Sequence, residues 1–280
     1  MSTDDPTPDT STDAAPPAGP GDGPTGSGLA AEKARRLAQL DTLRLEGVTP
    51  YPYRFDRTHT VALALGRPLV AIDLPGHGHS DGGKNGSLNV PSNAEDVAVA
   101  IRELAPNAKL VVGMSLGGMT SLALAGRGPV IVQRLALVDV TPGVDGPKSQ
   151  QIANFINGPE SFPNFDELLA RTIEFNPTRT ESSLRRGILH NALQLEDGSW
   201  VWRYRRMVES GRDHPDFSSL WDIISASSMP LLLVRGMLSQ SVVDDADEAE
   251  LVKRRPDAQI VHVEQAGHSI QGDQPVELAR

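Results

Sequence analysis

At 280 residues and 39% apolar composition the chain can build one sizeable core plus an insertion, and its net charge of −10, from 36 acidic and 26 basic residues, argues against a nucleic-acid surface. Cysteine is absent, which excludes disulfides, thiolate catalysis and cysteine metal sites. No apolar run approaches the roughly 20 residues of a membrane helix and the N-terminus lacks the basic and apolar regions of a signal peptide, so the expectation is a cytoplasmic protein without a membrane span.

Residues 1–28 contain five Asp and neither Lys nor Arg among many Pro, Gly, Ser and Thr. Such a segment buries too little apolar area to offset chain entropy, and it reads as a disordered acidic tail. Residues 29–58 read as an amphipathic helix and a linker. Leu37, Leu40, Leu43 and Leu45 follow the helical period, and Gly47 and Thr49-Pro50-Tyr51-Pro52-Tyr53 end it.

From residue 59 strands and helices alternate, which implies an α/β protein with a mostly parallel sheet. Pro68–Asp73 reads as a strand, Ser92–Leu104 as a helix with Val97, Ala98, Ile101 and Leu104 on one side, and Leu110–Gly113 as a buried strand. Leu135–Asp139, Leu231–Arg235 and Ile260–Val263 supply three more strands. Between Thr141 and Met229 the pattern turns helical, aromatic and charged. The organisation expected is a core of residues 59–142 and 229–280, with residues 143–228 inserted as a helical cap above the carboxyl ends of the strands.

The most informative stretch is Gly113-Met114-Ser115-Leu116-Gly117, a G-x-S-x-G motif between a strand and a small-residue helix. This is the pattern of a nucleophile elbow, in which the turn strains the serine backbone, and glycine is expected at 113 and 117 because a Cβ would clash. Ser115 would stand at the helix N-terminus, with the N–H of Leu116 as an oxyanion donor. Of the seven histidines, His268 follows a late strand and is the candidate base. Asp139, ending the strand after the nucleophile helix, is the first choice for the orienting carboxylate, in the chain order Ser, Asp, His. The competing carboxylates are Asp244, Asp245 and Asp247, beyond Ser239 in the loop after the Leu231 strand. Alternatively Asp139 anchors the Thr141-Pro142 turn and His268 satisfies a backbone group. His77 and His79 lack accompanying ligand spacing and read as turn residues rather than metal ligands.

Two resemblances follow. From about residue 59 onward, Asp73–Ser80, Gly113–Gly118, Leu137–Pro142, the stretches Ser183–Asn191 and Gly198–Tyr204, and Gly267-His268 to Pro275 resemble a capped α/β-hydrolase, close to actinobacterial esterase or lipase-like members. The resemblance implies hydrolysis of a carboxylic ester or related acyl bond through an acyl-enzyme, on a small-molecule substrate and without a cofactor or metal. The family's first strands, and the His-Gly loop that supplies a second oxyanion N–H, have no counterpart ahead of Val70. This predicts a sheet opened between the Pro68 strand and the nucleophile strand, and turnover lowered by the missing donor. An inactive hydrolase-like scaffold or binding module is the alternative. Residues 32–60, in Leu43-Arg44-Leu45-Glu46-Gly47 and Pro50-Tyr51-Pro52-Tyr53-Arg54-Phe55, resemble the N-terminal segment of class II lysyl-tRNA synthetases, without the aminoacylation motifs.

Overall fold

The structure, a computed structural model, describes residues 69–80, 89–128, 131–204 and 216–280. The acidic tail and the amphipathic helix expected within residues 1–58 lie outside the described residues.

Helix α1, Val90–Leu104, begins where the Asn89 side chain accepts the Ser92 N–H at 2.9 Å, with proline in its first turn. Then follow β1 (Val111–Met114), α2 (Leu116–Ala125) and β2 (Leu135–Val138). Next are α3 (Gly146–Ile156), β3 (Ser161–Phe162), α4 (Phe165–Phe175), α5 (Glu181–Asn191), β4 (Ala192–Gln194), β5 (Trp200–Trp202) and α6 (Leu220–Ala226). The chain closes with β6 (Leu231–Gly236), α7 (Asp245–Arg254), β7 (Gln259–Val263), α8 (Ile270–Asp273) and α9 (Pro275–Leu278). No helix among the described residues is long and apolar enough to cross a membrane.

The main sheet has the order β1-β2-β6-β7 and every neighbour runs parallel, with Val111 opposite Leu135, Leu135 opposite Leu231, and Leu232 opposite Gln259. All four carboxyl ends therefore meet along one rim, and the two central strands are near-continuous apolar runs, as burial on both faces requires. On one face Leu135, Leu137, Leu231 and Leu233 pack with residues of α1, α2, α6 and α7, including Ala94, Leu122, Trp221 and Leu251. On the other, Val138, Val234 and Val263 pack with Ala266 and Ile270 near the rim.

Two expectations need correction. Of the expected strand Pro68–Asp73, the described part, Leu69–Asp73, forms no ladder with any described residue, because a strand is made by a neighbour, and β1 pairs with β2 alone among the described residues. Consistently, Leu110 and Val112 are 52% and 58% exposed and Ile72 is 39% exposed. Leu104, placed by its spacing on the buried side of α1, is 50% exposed; burial of that helix fades after Ala98.

Between β2 and β6 lies a small antiparallel sheet of order β3-β5-β4 with α3, α4 and α5 around it. Trp202 stands among Phe155, Phe162 and Tyr204 with ring centroids 5.4, 6.2 and 5.8 Å away, and Trp200 meets Phe165 edge-on at 5.2 Å. Helix α6, within the stretch expected to be cap, instead buries Leu220, Trp221 and Ile224 in the main core.

Candidate active site

The turn from β1 into α2 holds Ser115 at φ 51°, ψ −125°, a left-handed backbone that a non-glycine residue tolerates only where packing over-determines it. Gly113 is part of that packing, since a Cβ there would lie 2.5 Å from the Gly117 carbonyl oxygen and 2.6 Å from Ser121 Oγ. Gly117 differs from expectation: a Cβ at 117 meets nothing within 4 Å. The close approach falls one residue later, where a Cβ on Gly118 would strike Val140 Cγ1. The intrahelical bonds begin with the N–H groups of Gly118 and Met119 on the Ser115 carbonyl, at 2.8 and 3.2 Å. The amides of Leu116 and Gly117 thus precede the first helical bonds, at the positive end of the α2 dipole.

Asp139 follows β2 in a second left-handed backbone, φ 46°, and its side chain is fully buried. Four donors satisfy its carboxylate. Oδ1 accepts the Gly236 N–H at 2.8 Å and the Ser241 hydroxyl at 2.6 Å, while Oδ2 accepts the Val242 N–H at 3.1 Å and lies 3.0 Å from His268 Nδ1. Burying a carboxylate is costly unless hydrogen bonds replace its water, and these four donors do so. Its oxygens do not anchor the following turn, where the Gly143 N–H goes to Thr141 Oγ1 at 3.2 Å and the Val144 N–H to the Thr141 carbonyl at 3.1 Å.

His268 sits on the turn after β7 with 12% of its side chain exposed. The bond from Nδ1 to Asp139 leaves Nε2 as the ring atom for proton transfer. Gln271, one turn further on, donates from Nε2 to Met114 Sδ at 3.5 Å, so the histidine segment abuts the residue before Ser115. No hydrogen bond joins Ser115 Oγ to the imidazole among the described residues; a pair of this kind tightens when substrate binds.

The competing carboxylates are otherwise engaged. Asp244 caps α7 by accepting the Asp247 N–H at 2.9 Å, Asp245 pairs with Arg235 at 2.7 Å, and Asp247 accepts from Lys148 Nζ at 2.7 Å. Burial works against the Lys148 charge, but its bonds to Asp247 and Asp244 outweigh this and hold its pKa above the ordinary value. Ser239 is exposed in the loop after β6. His77 and His79 build a turn: His77 Nδ1 lies 3.2 Å from the Pro75 carbonyl oxygen, and the His79 N–H donates to Asp73 Oδ2 at 3.1 Å.

With the parallel sheet, the elbow serine and the buried carboxylate against a histidine after the last strand in place, comparison shows that residues 46–280 match a family model of the α/β hydrolase family. The chain belongs to that family. Esterase Rv0045c of Mycobacterium tuberculosis is 44% identical over 231 residues, covering 79% of this chain and 76% of its own length. A solved structure of the same esterase superposes with a TM-score of 0.68, covering 79% of this chain and 77% of that one. The mouse sn-1-specific diacylglycerol lipase ABHD11 is 27% identical over 217 residues, 75% of this chain and 68% of its own.

This α/β hydrolase is thus an enzyme whose candidate residues Ser115, Asp139 and His268 all stand on the rim formed by β1, β2, β6 and β7. Sequence reasoning missed Ser241 and Val242, whose link to Asp139 spans about a hundred residues and leaves no local pattern. Gly236 had a signal, as a glycine closing a strand: a Cβ there would lie 2.7 Å from the Ala266 carbonyl oxygen. The synthetase-like reading of residues 32–60 is not shown by the comparisons, and that segment lies outside the described residues.

Proposed function

We propose that the chain hydrolyses a carboxylic ester of a small molecule through Ser115, His268 and Asp139. The observation that carries this reading is the 3.0 Å contact of His268 Nδ1 with the fully buried Asp139, on the rim where the elbow presents Ser115. His268 Nε2 takes the Ser115 hydroxyl proton as Oγ attacks the carbonyl carbon, and Asp139 stabilises the imidazolium that forms. The tetrahedral oxyanion is held by the Leu116 N–H at the α2 N-terminus. Collapse expels the alcohol, which receives the proton from His268. Water then attacks the acyl-serine with the same histidine as base and releases the carboxylic acid.

The 44% identity with a named esterase supports an ester substrate. We assign residues 143 to about 204 to the cap, whose aromatic cluster favours an apolar acyl or alcohol group. With the Leu116 N–H as the single backbone donor assigned, turnover is slow, because loss of one oxyanion donor costs about 100 to 1000-fold. A hydrolase-like scaffold without turnover is the second reading, favoured by the exposure of Leu110, just before the elbow strand, and of Val112 within it.

The test is hydrolysis of a short-chain chromogenic ester by the folded chain and by S115A, with fluorophosphonate labelling alongside. Activity and labelling that both vanish in S115A support the triad. Equal background in two folded proteins would leave the scaffold.

A further inference from the structure

Three groups outside the triad hold the segment that carries His268. Asp273, the last residue of α8, accepts the Gly267 N–H on Oδ2 at 2.9 Å, and so ties down the backbone immediately before the histidine. Its other oxygen, Oδ1, accepts the Thr178 hydroxyl at 2.9 Å, and Thr178 belongs to the connection between α4 and α5. The next residue, Arg179, lies against Gly272, where a Cβ would come within 2.6 Å of its guanidinium carbon. The buried Nε of Arg179 has no hydrogen-bond partner, and its terminal nitrogen donates to Ser183 Oγ at 3.1 Å. Burial depresses the Arg179 pKa, and the charge of Asp273 works against that.

We propose that Asp273 is a positioning residue for His268, and that its bond to Thr178 makes the seating of the α4–α5 connection a condition for the histidine to stand correctly over Asp139. The inference rests on the catalytic reading above. One carboxylate receives one bond from the histidine turn and one from the α4–α5 connection, so a shift of Thr178 is passed to Gly267 through a single rigid group. The stretch Ile270–Asp273 is one helical turn, and two more of its bonds, from the N–H groups of Gly272 and Asp273 to the Ser269 carbonyl at 2.7 and 2.9 Å, keep it stiff. A displacement of about 1 Å in a catalytic group is enough to cost about 100-fold in rate.

The experiment measures two things on the full chain: the rate of fluorophosphonate labelling, and the downfield proton NMR signal of the His268 Nδ1–H bonded to Asp139. In D273A the labelling rate should fall about 10 to 100-fold and the proton signal should broaden or shift, at unchanged far-UV circular dichroism. D273N should recover most of both, since its amide oxygen can accept the Gly267 N–H while its NH2 donates to Thr178 Oγ. T178V leaves the Gly267 bond untouched, and should slow labelling about threefold to tenfold with a smaller movement of the proton signal. A folded D273A with both readouts as in the parent overturns the proposal, and a T178V indistinguishable from the parent overturns the part given to Thr178. If D273A does not fold, T178V and D273N decide by the same two readouts. Should the parent chain itself fail to label, the catalytic reading falls, while the His268 signal in the variants still reports whether Asp273 sets the ring.

Discussion

Asp139 and His268 are 129 positions apart in the chain and meet at 3.0 Å, with every other lone pair of the carboxylate taken by Gly236, Ser241 and Val242. Replacing Asp139 by Asn keeps the shape but offers the imidazole an amide, which no longer stabilises the imidazolium. D139N should lower kcat on a chromogenic ester by about 10⁴-fold, and should also lower the melting temperature, because its buried NH2 faces a donor such as the Val242 N–H. S241A removes one of four donors and should cost about tenfold or less. Steady-state kinetics on the three proteins checks both, and a D139N of parental kcat would remove Asp139 from the mechanism.

The three glycines around the elbow should not behave alike. G113A and G118A each drive a Cβ into neighbours that cannot move cheaply, and each should destabilise by about 1–3 kcal/mol. G117A enters open space inside the first turn of α2, where alanine is the better helix former, and should be neutral or stabilising by up to about 1 kcal/mol. Chemical denaturation of the three variants separates them, and a G117A as damaging as G113A would contradict the geometry.

Glu248 predicts a pH dependence of stability. Burial disfavours its charge, but the hydrogen bonds and charges of Arg235, at 2.7 Å, and His262, at 2.8 Å, hold its carboxyl below the ordinary value of 4.5. The folded state therefore binds this proton less readily than the unfolded chain. The contribution is complete above about pH 4.5 and is lost as pH falls through the lower, folded value. E248Q should melt below the parent at pH 7, and the gap should close as pH falls below 4.5 and through the lower folded value; calorimetry on acidification reads it directly.

The two sides of the sheet should respond differently to truncation. Leu137 is fully buried between the sheet and the helix layer, so L137A should cost about 2–5 kcal/mol. Val112, one strand away and 58% exposed, should tolerate V112T within about 0.5 kcal/mol. A V112T loss comparable to that of L137A in urea unfolding would mean that another segment covers the β1 edge.

What the sequence determined by itself is local. The elbow is legible because G-x-S-x-G between a β-rich run and a small-residue helix is a pattern of adjacent residues, and the strands β2 and β6 because buried parallel strands are near-continuous apolar runs. The helix expected over Ser92–Leu104 is also legible, although the Asn89 cap and Pro91 start it two residues earlier, at Val90. Tertiary structure decided what depends on partners far along the chain. Leu69–Asp73 has strand composition but forms no ladder among the described residues, because pairing requires a neighbour that composition does not specify. The choice among Asp139, Asp244, Asp245 and Asp247 could not be made from spacing: all four follow strands of one sheet, and only folding shows that Lys148, Arg235 and a helix cap occupy the last three. Gly117 teaches the same lesson at atomic scale. Motif spacing marks a glycine there, but whether a Cβ clashes depends on which atoms the rest of the chain brings to that point.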